Sequence, residues 1–219
     1  MNKKFLRNYI EYCKNLDDYN YLLQRIAFQT APTVLGIKPA CLVSIGNSTR
    51  NLPNIWDIWK TDICGRLKLD FLEMKRSPRR ILVLFYREDV LAQHLALMEN
   101  KKFLWKLGYG DDLKNMLYLL KAKFKSGCPH EVGIFLGFPW QDVKAFMECR
   151  EKGFQSQLSP QDEQSPKVLL CGYWKVFHNP DLALKIFHHY DVARLMVIGA
   201  ILDPDLVLKV LACPSVAEL

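Results

Sequence analysis

The chain has no apolar run long enough to cross a membrane. The run Leu195 to Leu202 is broken at Asp203-Pro204, and a spanning helix needs about 20 such residues. The start, Met1-Asn2-Lys3-Lys4-Phe5-Leu6-Arg7, is basic, but Asn8, Glu11 and Lys14 interrupt any apolar core, so no secretory leader is expected. Seven cysteines contain no Cys-x-x-Cys pair, which argues against a disulfide framework and a zinc ribbon. There is no Walker loop, no G-x-G-x-x-G fingerprint and no G-x-S-x-G nucleophile elbow, so nucleotide-fold and hydrolase readings lack their usual carriers. Glycine and proline number only 11 each, and half of the 219 residues are hydrophobic. That excludes collagen-like and wholly disordered chains.

What is present fits a globular protein with a sizeable core. The cysteines mostly have apolar neighbours, as in Ala40-Cys41-Leu42-Val43, and read as buried reduced thiols of a cytoplasmic protein. The net charge is +7, and the first 110 residues hold 18 of the 30 Lys/Arg but only 10 of the 23 Asp/Glu. Lys75, Arg76, Arg79 and Arg80 cluster at an expected hairpin tip. Such clusters can meet phosphate, but without aromatic platforms or a helix-turn-helix they read as a solvated turn, and nucleic acid is not an expected partner.

Hydrophobic spacing predicts a helix over 3–28, stopped at Ala31-Pro32, then a strand over Ala40–Ile45 and a helix entered through Pro53. Strands over Leu67–Met74 and Arg80–Tyr86 form a hairpin, and the uniformly apolar Ile81–Tyr86 reads as buried on both faces. Helices follow near Asp89–Met98 and 111–125. A strand over His130–Phe138 leads into a helix from Pro139 to about Cys149. A flexible loop over 153–167 precedes a strand over Val168–Phe177, and Asn179-Pro180 opens a last helix. The expected fold class is α/β, with α+β as the alternative. It is one layered domain over residues 1–191 with a mixed sheet covered by helices, followed by an apolar helical tail over 192–219.

Three features point to a site. On a strand, His130 and Glu131 face opposite ways, and His130 is the side chain that titrates near neutrality. Gly137 stands just before a helix N-terminus, where amides can meet an anion. In Cys171-Gly172-Tyr173-Trp174-Lys175-Val176-Phe177, Tyr173 and Lys175 share a strand face that could wall a ligand site. Cys128, His130, Cys171, His178, His188 and His189 have no recognised ligand spacing, so no metal site is assigned and no cofactor follows.

Three stretches taken together resemble one family: Ala31-Pro32-Thr33-Val34-Leu35-Gly36-Ile37-Lys38-Pro39; His130 to Pro139 with Asp142-Val143 and Phe146; and Cys171 to Phe177. In this order they are similar to an uncharacterised bacterial family, domain-of-unknown-function family 3793, over about residues 15–191. The resemblance implies a cytoplasmic, single-domain protein of anaerobic bacteria, and it brings no catalytic residues. A Cys often precedes the family's Ala-Pro-Thr, where this chain has Thr30. The first expectation is a non-catalytic accessory protein that binds a small ligand or cofactor through Lys38, His130, Glu131, Gly137, Tyr173 and Lys175. The second is a redox- or metal-linked enzyme using His130 or a cysteine. The third is an interaction module whose C-terminal tail docks on a protein partner or a second copy.

Overall fold

The structure, a computed structural model, describes residues 3–47, 49–155 and 166–202. In chain order the elements are α1 (Lys3–Lys14), α2 (Asp18–Val34), β1 (Ala40–Gly46), α3 (Leu52–Leu67), β2 (Asp70–Ser77), β3 (Arg80–Tyr86), α4 (Glu88–Ala96), α5 (Met98–Lys106), α6 (Leu113–Lys123), α7 (Val132–Phe135), α8 (Trp140–Gln155), β4 (Leu170–Cys171), β5 (Lys175–Val176) and α9 (Pro180–Leu202). The α/β class read from the sequence holds, with helix predominating. The chain divides into two compact units, residues 1–90 with 188–219, and residues 91–187.

The first unit is built on an antiparallel sheet in the order β1-β3-β2, where a mixed sheet was expected. The β2–β3 hairpin closes at Ser77 opposite Arg80, inside the Lys75–Arg79 stretch expected as its tip, and β2 covers Asp70–Ser77 where Leu67–Met74 was expected. Ile81, Val83 and Phe85 project to one face of β3 and Leu84 to the other, and all four are fully buried. That agrees with the reading of this run as a central strand. α2 and α3 pack on each other and on β1, bringing Leu22, Ile26 and Trp56 against Val43, Ile45 and β3. Trp56 is the largest of these side chains, with its ring edge-on to Phe71 and Phe85 at 5.1 and 5.4 Å. Its indole N–H donates to Glu73 Oε1 at 3.0 Å. Glu73 also receives Lys60 and Arg76, and Arg76 makes a two-pronged contact with Asp57. Part of the basic hairpin is therefore neutralised at home.

The second unit is helical, with the small antiparallel β4–β5 hairpin. α6 follows its predicted bounds closely: Asp112 caps it by accepting from Asn115 N at 2.8 Å, and Lys121 and Lys123 lie in its last turn. Asn179 and Pro180 open α9 as expected, with Asn179 Oδ1 accepting from Leu182 N at 3.1 Å.

Several expectations are corrected. The first helix is two helices, because Asp17 starts a new one by accepting from Asn20 N at 2.9 Å. Pro32 does not stop α2, which runs on to Val34. Proline removes one intrahelical bond, but here its carbonyl caps the chain by accepting from Ile37 N and Lys38 N at 2.8 and 3.0 Å. The helix expected to reach Met98 breaks at Leu97, where α5 begins. His130–Phe138 is no strand but a turn and the four-residue α7. Val132 to Leu136 are all buried, and a short run buried all round carries no period to separate strand from helix. Val168–Phe177 is likewise a hairpin of two two-residue strands that turns at Gly172–Trp174. The sequence boundary at 191 falls inside α9, and the tail from 203 and most of the 153–167 loop lie outside the described residues.

Trp56 combines core volume with a bond to a part-buried carboxylate, so Trp56→Ala should cost about 3–5 kcal/mol. Urea unfolding followed by circular dichroism checks this as a lowered midpoint.

Candidate functional site

The second unit contains a carboxylate that is 2% exposed, Asp142 in the first turn of α8. A carboxylate is tolerated at such a depth only when its lone pairs are filled. Asp142 Oδ2 accepts from Trp174 Nε1 at 2.8 Å. Oδ1 accepts from the backbone N–H groups of Phe177 and His178, both at 2.9 Å, with His178 Nδ1 at 3.2 Å. These bonds tie the end of the β4–β5 hairpin to α8 and fix the Trp174 ring, which stacks on Phe138 at 5.1 Å and meets Phe187 edge-on at 4.5 Å. Gly172 makes room for this packing: a Cβ there would fall 2.1 Å from Phe187.

Beside this clamp is a cavity of about 400 Å³. Val132, Gly133, Phe138, Val143, Phe146 and Trp174 supply its apolar lining, with Asp142 among them. Its exposed lining residues are Cys128, His130 and Lys175. His130 meets Phe146 edge-on at 5.0 Å. The Lys175 ammonium and the Arg150 guanidinium lie 5.6 and 5.4 Å from the centre of the Phe146 ring. The result is an aromatic, apolar chamber with cations at one ring.

The structure brings together only some of the residues named from the sequence. His130 and Lys175 line the cavity. Glu131 is buried away from this lining, where it accepts from Lys123 Nζ at 2.7 Å and Tyr109 Oη at 3.1 Å. Gly137 adopts a φ of +77° after α7. That left-handed conformation suits glycine and turns the chain so that Phe138 N bonds back to Gly133 O at 2.9 Å. Tyr173 packs on Phe187 at 5.4 Å. Lys38 belongs to the first unit, buried, with its ammonium 5.4 Å from the centre of the Tyr190 ring. Burial pushes its pKa down, partly opposed by Cys41 and reinforced by Arg194. Asp142, Phe146 and Trp174 received no site role from sequence. The only signal was a carboxylate set among apolar residues at a helix start, which reads equally well as a dipole complement.

Burial raises the Cys13, Cys64 and Cys128 thiols, Cys64 to about 12, the opposite of an activated thiolate. Among the described residues no three His, Cys, Asp or Glu side chains gather as metal ligands. Also among them, no helix is long and apolar enough to cross a membrane.

Burial raises the Glu131 carboxyl, but Lys123 and Tyr109 outweigh it and hold its pKa below the ordinary value. A carboxyl that is more acidic when folded stabilises the fold above its unfolded pKa, and that contribution disappears as pH falls through the folded value. Glu131→Gln should therefore cost about 1–3 kcal/mol at neutral pH. It should also flatten the loss of stability below about pH 4, as read from unfolding midpoints across an acid series.

Residues 26–159 match the family described as "Protein of unknown function (DUF3793)". No curated protein matches the chain, and neither does any solved structure. The match takes in the Ala31–Pro39 and His130–Phe146 stretches, while Trp174 and Lys175 lie beyond it. With well over half of its length matched, the chain belongs to the DUF3793 family.

Proposed function

We propose that the protein binds a small planar aromatic molecule with an acidic group in the second-unit cavity, as an accessory protein without catalysis of its own. The observation that carries this reading is the pairing of an aromatic chamber with cations at its Phe146 ring. Phe138, Phe146 and Trp174 offer rings for offset or edge-on packing. Among the described residues neither Lys175 nor Arg150 makes an ion pair, so both cations are available to an anion. Asp142 also lines the chamber, but its oxygens are already filled by the hairpin, so its charge is directed inward to the protein. About 400 Å³ is in the range of small-molecule sites. The buried, unpaired thiols of Cys13, Cys41 and Cys64 suit the reducing cytoplasm expected from the sequence.

The test is a titration of the full chain with naphthoate and with its uncharged amide, read by tryptophan fluorescence and thermal shift. Naphthoate should saturate at one site, and the amide should bind more weakly. Lys175→Ala should weaken naphthoate about five-fold, the worth of one exposed charge contact near 1 kcal/mol. Cys128→Trp, which puts a large ring at an exposed lining position, should abolish binding. Equal binding to wild type and Cys128→Trp would overturn the assignment of the site.

A further inference from the structure

The first unit has its own cavity, of about 550 Å³, lined by residues of α1 and α2 with Thr49 and Arg50. Tyr9, Cys13 and Phe28 form its apolar part, next to a cluster that includes Ile198. Three cations line it: Lys14, Arg25 and Arg50. Two of them are satisfied. Lys14 pairs with Glu11 at 2.9 Å. Arg50 pairs with Asp18 at 2.9 Å and also donates to the Lys14 and Leu16 carbonyls. Arg25 is different. It is half-buried, its Nε is shielded from solvent, and that atom has no hydrogen-bond partner. Among the described residues no carboxylate pairs with Arg25. A shielded guanidinium edge without an acceptor is costly, and guanidinium is matched by oxyanions. Nearby, the Arg194 guanidinium lies 5.5 Å from the centre of the Phe28 ring.

We propose that this cavity is a second ligand site, which takes an amphipathic oxyanion: a carboxylate or phosphate head on Arg25, with an apolar body against Tyr9 and Phe28. The site is independent of the second-unit cavity and of the function assigned there. The head supplies the acceptor that Arg25 lacks. The body removes exposed lining of the cavity from water.

The experiment uses the full chain carrying Cys128→Trp, so that the second-unit cavity is already filled, and titrates it with octanoate, octyl phosphate and octanol. At least one of the two anions should raise the melting temperature and bind saturably at one site, and whichever binds more tightly identifies the head group. Octanol should bind at least about ten-fold more weakly, a difference of about 1.4 kcal/mol. Adding Arg25→Met should remove that preference for the anion while leaving the ligand-free chain about as stable, because the half-buried guanidinium with its shielded Nε gives way to an apolar side chain of similar length. Arg25→Gln serves as the second variant if Met perturbs the fold. The proposal is overturned if neither anion binds, or if both variants bind the anions as before. It is also overturned if both substitutions destabilise the ligand-free chain.

Discussion

Asp142 is the constraint on which the second unit's site depends. The β4–β5 hairpin pairs only two residues on each strand, and a ribbon that short has little stability alone. What holds it is the buried carboxylate on α8, which takes an indole N–H, two backbone N–H groups and an imidazole. The indole bond sets the plane of Trp174, and that plane decides how Phe138 stacks and where the cavity wall runs. Charge-assisted bonds of this kind are stronger than neutral ones. Losing the carboxylate would strand several donors at once, so the cost of removing it exceeds that of any single bond.

The first unit solves a similar problem in a similar way. Trp56 donates to Glu73 there as Trp174 donates to Asp142 here. In both, a large ring is held in one orientation because its single polar atom must find a partner when buried. The difference lies in the cations. Glu73 draws in Lys60 and Arg76, and Glu131 draws in Lys123, so these charges close on themselves. Lys175, Arg150 and Arg25 do not close in this way among the described residues. Both proposed sites follow from that distinction between compensated and uncompensated charge.

Where residues carried their own local chemistry, the sequence was readable. Lys75–Arg79 between two apolar runs marked the hairpin though not where β2 ends, Asp112 and the closing lysines marked α6, and Asn179-Pro180 marked the start of α9. Reading failed where tertiary burial replaced periodicity. Val132–Leu136 is buried on every side, so an apolar string read as strand is helix. Pro32 lies inside α2, and the turn after the helix closes on its carbonyl from residues 37 and 38, which its immediate neighbours do not announce. Of the residues named from the sequence, His130 and Lys175 line the same cavity. Lys38 was grouped with them only because it stood in a distinctive stretch, and it belongs to the other unit. The Asp142–Trp174 pair spans 32 positions, and no local pattern announces a contact at that range.

Around the second-unit cavity the carboxylates and the thiol are already committed or held back. A general base needs an available lone pair and a nucleophile needs an accessible anionic form. The buried carboxylate in the lining, Asp142, has its oxygens occupied by donors that the hairpin cannot give up without unfolding. Cys128 is exposed at the cavity, yet partial desolvation and the Glu131 charge push its thiol upward, away from thiolate. Glu131 itself is committed to Lys123 and Tyr109. His130, Lys175 and Arg150 remain, all three beside the Phe146 ring. It is on the cations Lys175 and Arg150, beside an apolar chamber whose Trp174 ring is held in one orientation, that the proposed binding of an acidic aromatic molecule rests.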